Sequence, residues 1–204
     1  MDILSKLPDK SFDLILTDPP YGISADKGTN GFGTSKNRKY KGGWDDKSSA
    51  KEVFDEMRRV SKMQIIFGGN YFADRLPVSK SWIVWDKVGE YEFRNPFASC
   101  ELAWTNKSDV KKKYTCIQQG FINADKGQER IHPTQKPLDL WCRIIEEYTE
   151  PDTLILDPFS GSGITAIAAH RLGRRFICIE KDPDYHAASV KRFEDEMRQM
   201  KLPI

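Results

Sequence analysis

The sequence predicts an α/β fold around a mostly parallel sheet. Three observations carry this. Short apolar runs alternate with longer amphipathic stretches, as strands alternate with helices in such folds. Several runs stop at polar or glycine-bearing corners, and the corners at the carboxyl ends of parallel strands gather along one ligand-binding edge. With 204 residues, 39% hydrophobic and 30% charged, the chain has an ordinary soluble composition and the length of one domain, with room for insertions.

The elements follow in order. "FDLIL" (12–16) predicts a buried strand that ends at Asp18-Pro-Pro-Tyr. "SAKEVFDEMRRVSK" (49–62) predicts a helix opened by a Ser49–Glu52 capping box, with Val53, Phe54, Met57 and Val60 on one face. "MQIIF" (63–67) is a strand ending at a glycine pair, and "SWIVWD" (81–86) and "CELAWT" (100–105) are further strands. "PLDLWCRIIEEY" (137–148) is a helix with Pro137 near its first turn and Leu138, Trp141, Ile145 and Tyr148 on one face. "TLILD" (153–157) is a strand, "GITAIAAHRLG" (163–173) a helix closed by Gly173, "RFICIE" (175–180) a strand, and 184–201 a final helix. There is no internal repeat and no linker.

No apolar run approaches the roughly 18 residues of a membrane helix, and the first residues lack the pattern of a signal peptide. A cytoplasmic setting, in a bacterium or a phage-infected cell, is the expectation. Cys100, Cys116, Cys142 and Cys178 are scattered, which suggests reduced cysteines and no metal site. Charge is uneven. Residues 23–51 hold seven Lys/Arg against three Asp, and residues 105–131 hold six against three Asp/Glu, on a body that is otherwise mildly acidic. Both segments read as loops, at about 24–47 and 106–131, and two basic loops suit a polyanion partner.

"LDPFSGSGITA" (156–166) runs from a strand into a helix. Gly161 and Gly163 allow a tight turn and close approach of a ligand, and amides at a helix start favour a carboxylate or phosphate. The stretch also matches G-x-G-x-x-A, so a nicotinamide dinucleotide site is one reading and a plain packing turn another. Glu180 ends the next strand, where an acid can accept from both hydroxyls of a ribose. Asp157, at the head of the corner, would repel a pyrophosphate and attract an ammonium. A ligand with a ribose, an ammonium and a carboxylate is S-adenosylmethionine.

Three motifs then carry a family resemblance. "TDPPYG" (17–22) resembles the catalytic motif of the amino-group DNA methyltransferases that act at adenine N(6) or cytosine N(4), and "LDPFSGSG" (156–163) resembles their cofactor motif. "HPTQKP" (132–137) is similar to the segment that in this family lies beside the methionine end of the cofactor. The catalytic motif precedes the cofactor motif, which resembles the permuted β group. "IIFGGNYFADRLP" (65–77), "WIVWDK" (82–87) and "ELAWT" (101–105) also read like segments of that group. The resemblance implies a Rossmann-like methyltransferase fold with a seven-stranded sheet and a reversed hairpin strand. It implies cofactor contacts at Asp157, Phe159, Ser160, Gly161, Ser162 and Gly163, at Glu180, Lys181 and Asp182, and at His132, Thr134, Lys136 and Pro137.

The same resemblance implies a mechanism. The exocyclic amine of adenine is a poor nucleophile because its lone pair is delocalised into the ring. Asp18 and the Pro19 carbonyl would accept from its two N–H groups and localise that pair. Pro19 and Pro20 need no donors satisfied, so they stiffen the corner and aim the carbonyl. Tyr21 would stack on a base rotated out of the duplex, a contact worth ~1–3 kcal/mol. Neither a metal nor a covalent enzyme intermediate is needed, and no Pro-Cys pair suits cytosine C5 chemistry. His132 would shape the loop beside the cofactor.

The aspartate at the head of the motif resembles the adenine subgroup. Cytosine N(4) methylation and RNA adenine methylation are the neighbouring alternatives. A nicotinamide-dependent oxidoreductase and a catalytically silent DNA-binding subunit are remoter ones. Double-stranded DNA is the expected partner, contacted through Lys36, Arg38, Lys39 and Lys41 in the first basic segment and Lys111, Lys112 and Lys113 in the second. A homodimer is among the partners the resemblance allows. The chain reads as one methyltransferase domain spanning 1–204, since 106–131 is too short for a separate target-recognition domain. Short or loose sequence specificity, or recognition shared with a second subunit, is expected.

Overall fold

The computed structural model describes residues 3–23, 45, 49–91, 98–108, 110–119, 122–123, 131–132 and 134–200. Strands are β1 (Phe12–Thr17), β2 (Ser61–Phe67), β3 (Trp82–Asp86), β4 (Cys100–Thr105), β5 (Lys111–Thr115), β6 (Gln118–Gln119), β7 (Ile122–Asn123), β8 (Leu154–Asp157) and β9 (Arg175–Cys178). Helices are α1 (Lys51–Val60), α2 (Leu138–Tyr148), α3 (Ile164–Arg171) and α4 (Pro183–Met200). None of these helices is long and apolar enough to cross a membrane.

Seven strands form one sheet in the order β5-β3-β4-β2-β1-β8-β9, and β6 and β7 form a separate antiparallel pair. β1 is parallel to β2 and β8, β8 to β9, and β3 to β5. Within this sheet only β4 is reversed, antiparallel to both β2 and β3. The mostly parallel sheet with one reversed strand is the expected architecture.

Alternation along the strands sends side chains to two cores. Leu14, Leu16, Ile65, Phe67 and Ile155 pack with Trp141, Ile144 and Ile145 of α2 and Ile164 and Ile167 of α3. Ile15, Ile66 and Leu156 pack on the other face with Val53, Phe54, Met57 and Val60 of α1. Each such side chain taken fully out of water contributes ~1.5–3 kcal/mol. Trp141 stacks on Phe67 at 4.8 Å between centroids, and its indole N–H donates to Thr165 at 2.9 Å, which ties α2 to both the sheet and α3.

Several boundaries depart from expectation. The residue at the start of α1 is Ala50, without a side-chain cap, so the Ser49–Glu52 capping box does not form. The Ser49 carbonyl instead accepts from Arg75 at 2.7 Å. On α2, Leu140 and Ile144 join the buried face while Tyr148 is half-buried. β9 stops at Cys178, so Glu180 lies two residues beyond its strand. The largest correction concerns 106–131, which contains β5, β6 and β7 rather than one loop. β5 sits at the sheet edge with Lys111, Lys112 and Lys113 exposed and only Tyr114 buried. Three lysines in a row hide the period-two pattern, and lysine is how exposed edges avoid pairing with other chains.

Candidate active site

β1, β2, β8 and β9 all point their carboxyl ends to one edge of the sheet. The Asp18-Pro-Pro-Tyr corner follows β1 there. The Asp18 carboxylate accepts from the Tyr21 hydroxyl at 2.5 Å through one oxygen, and from the Lys136 ammonium through the other. Lys136 is 5% exposed and lies 3.3 Å from Glu101, which also pairs with Lys87 at 3.0 Å. Lys136 further sits 5.8 Å from the Tyr21 ring centroid and 5.7 Å from that of Phe67, within cation–π range. Burial pushes the Asp18 carboxyl above its ordinary range; Lys136 opposes this and Glu101 adds to it. Burial works against the charge of Lys136, but Asp18 and Glu101 outweigh it and hold the ammonium above its usual value. Burial and the neighbouring Asp18 charge keep Tyr21 a neutral phenol.

The Tyr21 ring rests on Gly68, the first residue after β2. Gly68 has φ +71°, and a Cβ there would stand 2.1 Å from the ring. Tyr71, in the turn that follows, stacks on Tyr21 at 4.8 Å and 18°, and Phe72 meets it edge-on at 5.9 Å. Asp45, 1% exposed, accepts from the backbone N–H groups of Gly22 at 2.7 Å and Ile23 at 3.2 Å. The far end of the first basic segment thereby fastens the exit of the corner.

The glycine corner follows β8. Asp157 is 3% exposed and accepts from the Thr17 hydroxyl at 2.7 Å, the Thr165 hydroxyl at 2.6 Å and the Phe159 N–H at 3.1 Å. The expectation that this acid faces a ligand ammonium is therefore corrected: it is turned inward, joining β8, β1 and α3. Burial raises its carboxyl to about 6 despite those donors. Through Thr17, the residue before Asp18, it also links the two corners.

Glu180 accepts from the N–H of Gly161 at 2.8 Å and, through its other oxygen, from that of Asp182 at 2.8 Å. Each carboxylate oxygen has a second lone pair, so Glu180 can still accept from a pair of hydroxyls. Gly161 has φ +48°, and an added Cβ there would stand 3.6 Å from the His132 ring, in ordinary contact. His132 stands edge-on to Tyr185 at 4.5 Å, and the Thr134 hydroxyl is 3.1 Å from its Nδ1. The bare Gly161 backbone thus lies between the Glu180 carboxylate and the His132 imidazole.

The remaining expected site residues divide. Ser160 and Ser162 are buried, and Phe159 is half-buried against the α1 side of the sheet. Lys181 is exposed. Asp182 accepts from the N–H of Asp184 at 2.8 Å and that of Tyr185 at 3.3 Å, which makes it the cap of α4. Pro137 immediately precedes α2. Lys136, expected at the cofactor, stands instead at Asp18. Lys36, Arg38, Lys39 and Lys41 lie outside the described residues. Lys112 pairs with Glu147 and Lys113 with Asp86, each at 3.0 Å. Sequence reasoning missed Thr17, Thr165, Lys87, Glu101 and Tyr71. The reversal of β4 is what delivers Glu101, because it places that strand's first residues where its parallel neighbours end.

Comparison with known proteins places this geometry. A family model described as DNA methylase, for N6 and N4 methyltransferases, matches residues 76–191. The type II methyltransferase M2.MboI of Moraxella bovis is 30% identical over 235 residues, covering 96% of this chain and 85% of that protein. Among solved structures, the M1.HpyAVI–SAM complex superposes with a TM-score of 0.58 at 24% identity, covering 93% of this chain and 91% of that one. PvuII DNA methyltransferase, titled cytosine-N4-specific, superposes with a TM-score of 0.59 at 16% identity, covering 97% and 88%.

Proposed function

We propose, since this chain belongs to the family of N6/N4 DNA methylases, that it methylates the exocyclic amino group of adenine in DNA. That it is an S-adenosylmethionine-dependent DNA methyltransferase acting at N6 or N4 follows from the membership. The proposal is the choice of adenine and the assignment of residues. The observation that carries it is the Asp18 carboxylate, held at the carboxyl edge of the sheet by Tyr21 and Lys136 and joined through Thr17 and Asp157 to the glycine corner.

S-adenosylmethionine, when bound, supplies an electrophilic methyl group. The glycine corner holds it in this reading, with Glu180 accepting from the ribose hydroxyls and His132 walling the bare Gly161 backbone. Asp18 accepts one N–H of the target amine and the Pro19 carbonyl accepts the other, so the nitrogen lone pair localises. Tyr21 takes a base turned out of the duplex onto its ring, beside Tyr71. The naming of relatives such as M2.MboI as type II methyltransferases supports a place in a restriction–modification system. Cytosine N4 is the second reading, supported by the likeness in fold to the PvuII enzyme.

The test is transfer of labelled methyl from S-adenosylmethionine to DNA, followed by nucleoside analysis. Label in N6-methyladenine is expected; label in N4-methylcytosine or only in RNA would overturn the adenine or the DNA assignment. Asp18→Ala should abolish transfer and leave cofactor binding nearly intact, whereas loss of both would make Asp18 structural.

A further inference from the structure

Lys136 belongs to the "HPTQKP" segment, yet its ammonium is turned away from the Gly161–Glu180 cradle and into the Asp18 corner. It bonds Asp18, lies 3.3 Å from Glu101, and is almost completely buried. A buried ammonium persists only where paired charges compensate its lost hydration. Here two carboxylates do so, and Lys87 balances the second at 3.0 Å. Asp18, Glu101, Lys136 and Lys87 together carry no net charge. The four groups come from the end of β1, the start of β4, the residue before Pro137 and the end of β3, so four segments must assemble before the corner is complete.

We propose that Lys136 is a positioning residue for methyl transfer, whose ammonium, braced by Glu101, fixes the direction and the charge of the Asp18 carboxylate. The inference rests on the reading of Asp18 as an acceptor of the target amine. With one oxygen held by Tyr21 and the other by Lys136, the carboxylate cannot rotate freely, and each oxygen keeps a lone pair for the amine. Glu101 shares the ammonium, so Lys136 does not neutralise Asp18 alone. To reach a cofactor carboxylate, Lys136 would have to abandon both acids.

Among the described residues, the charged and titratable groups facing Asp18 are Lys136, Glu101, Tyr21 and, across the sheet edge, Asp157. Lys136 favours its ionised form and Glu101 disfavours it. Opposite signs follow for two variants, measured as single-turnover methyl transfer against pH with calorimetric titration of S-adenosylmethionine. Lys136→Met should lower the rate roughly 100-fold near neutrality. Its acidic limb should move to higher pH, so that alkali restores part of the loss, with cofactor affinity unchanged. Glu101→Gln should move the same limb to lower pH. Asp157, raised to about 6 first by burial and in smaller part by Asp18, is common to all variants. Should Lys136→Met fail to fold, the sign of the Glu101→Gln shift decides. Limbs that stay in place, or a Lys136→Met enzyme with weakened cofactor binding and a normal saturated rate, would overturn the inference. Asp18→Ala distinguishes the two levels. Wild-type activity there removes the underlying reading, whereas an inactive Asp18→Ala beside a wild-type-like Lys136→Met removes only the role of Lys136.

Discussion

Asp157, expected to attract a ligand ammonium, is turned inward onto Thr17 and Thr165 instead. Its carboxyl is raised to about 6 from the ordinary 3.8, first by burial, against the donors Thr165, Thr17 and Phe159. The fold therefore favours the protonated form. Stability from this group is fully present below pH 3.8 and is lost as pH rises through about 6. Asp157→Asn does not titrate, so between pH 4 and pH 7 the wild type should lose up to ~3 kcal/mol relative to the variant. The other carboxylates are common to both proteins, so the difference in urea unfolding across that range isolates Asp157. Parallel pH profiles would show that the acid is ionised at no cost. The sequence could place an acid at a strand-end corner, because Asp-Pro after an apolar run is a local pattern. It could not show which way the acid faces, because its hydroxyl donors lie 140 residues earlier at Thr17 and 8 residues later at Thr165. Lys136 reads as a cofactor contact rather than a partner of Asp18 for the same reason: Asp18 is 118 residues away.

At the scale of elements, the turn after β2 is as important to the corner as the corner itself. The bare Gly68 backbone accepts the Tyr21 ring, while the turn that begins at Gly69 supplies Tyr71 and Phe72 to the same ring. Gly68→Ala would place a methyl 2.1 Å from the ring and force a side chain onto φ +71°, which costs ~1–2 kcal/mol by itself. Tyr21 must then leave its seat, and the Asp18–Tyr21 bond with it. The expected result is a roughly 100-fold fall in methyl transfer, with cofactor binding retained and only a modest drop in melting temperature. Unchanged kinetics would mean that Tyr21 is free to work from another position. The strands that make this edge were legible in the sequence, because β1, β2 and β8 each hold a short apolar run, at 14–16, 65–67 and 154–156, soon stopped by Asp-Pro or Gly-Gly. β5 was not, because its inward residue Tyr114 follows three lysines and the burial pattern is too sparse to read locally. The missing cap of α1 has a related cause: a Ser-x-x-Glu pattern states what can form, and the Ser49 carbonyl is held by Arg75 from another element.

The whole molecule joins a mildly acidic body to two basic segments, and the structure sorts the lysines of the second. Lys112 is paired with Glu147 and Lys113 with Asp86, whose carboxyl is held at about 2, first by the Gly89 N–H and then by that lysine among others. Lys111 is exposed at the head of the same edge strand and, among the described residues, has no ion-pair partner. A paired lysine already has its counter-charge within the protein, so it releases few additional ions when a phosphate approaches. An unpaired one contributes the full electrostatic share. If β5 is part of the DNA-binding surface, Lys111→Ala should weaken binding by a similar factor on every duplex sequence and reduce the slope of log affinity against log salt by about 1. Lys112→Ala and Lys113→Ala should reduce that slope less, because each lysine is already neutralised by its own acid. Binding isotherms from low to moderate salt on two unrelated duplexes test this. Equal slopes for wild type and Lys111→Ala would remove β5 from the interface. A loss confined to one duplex would turn Lys111 from a phosphate contact into a base contact.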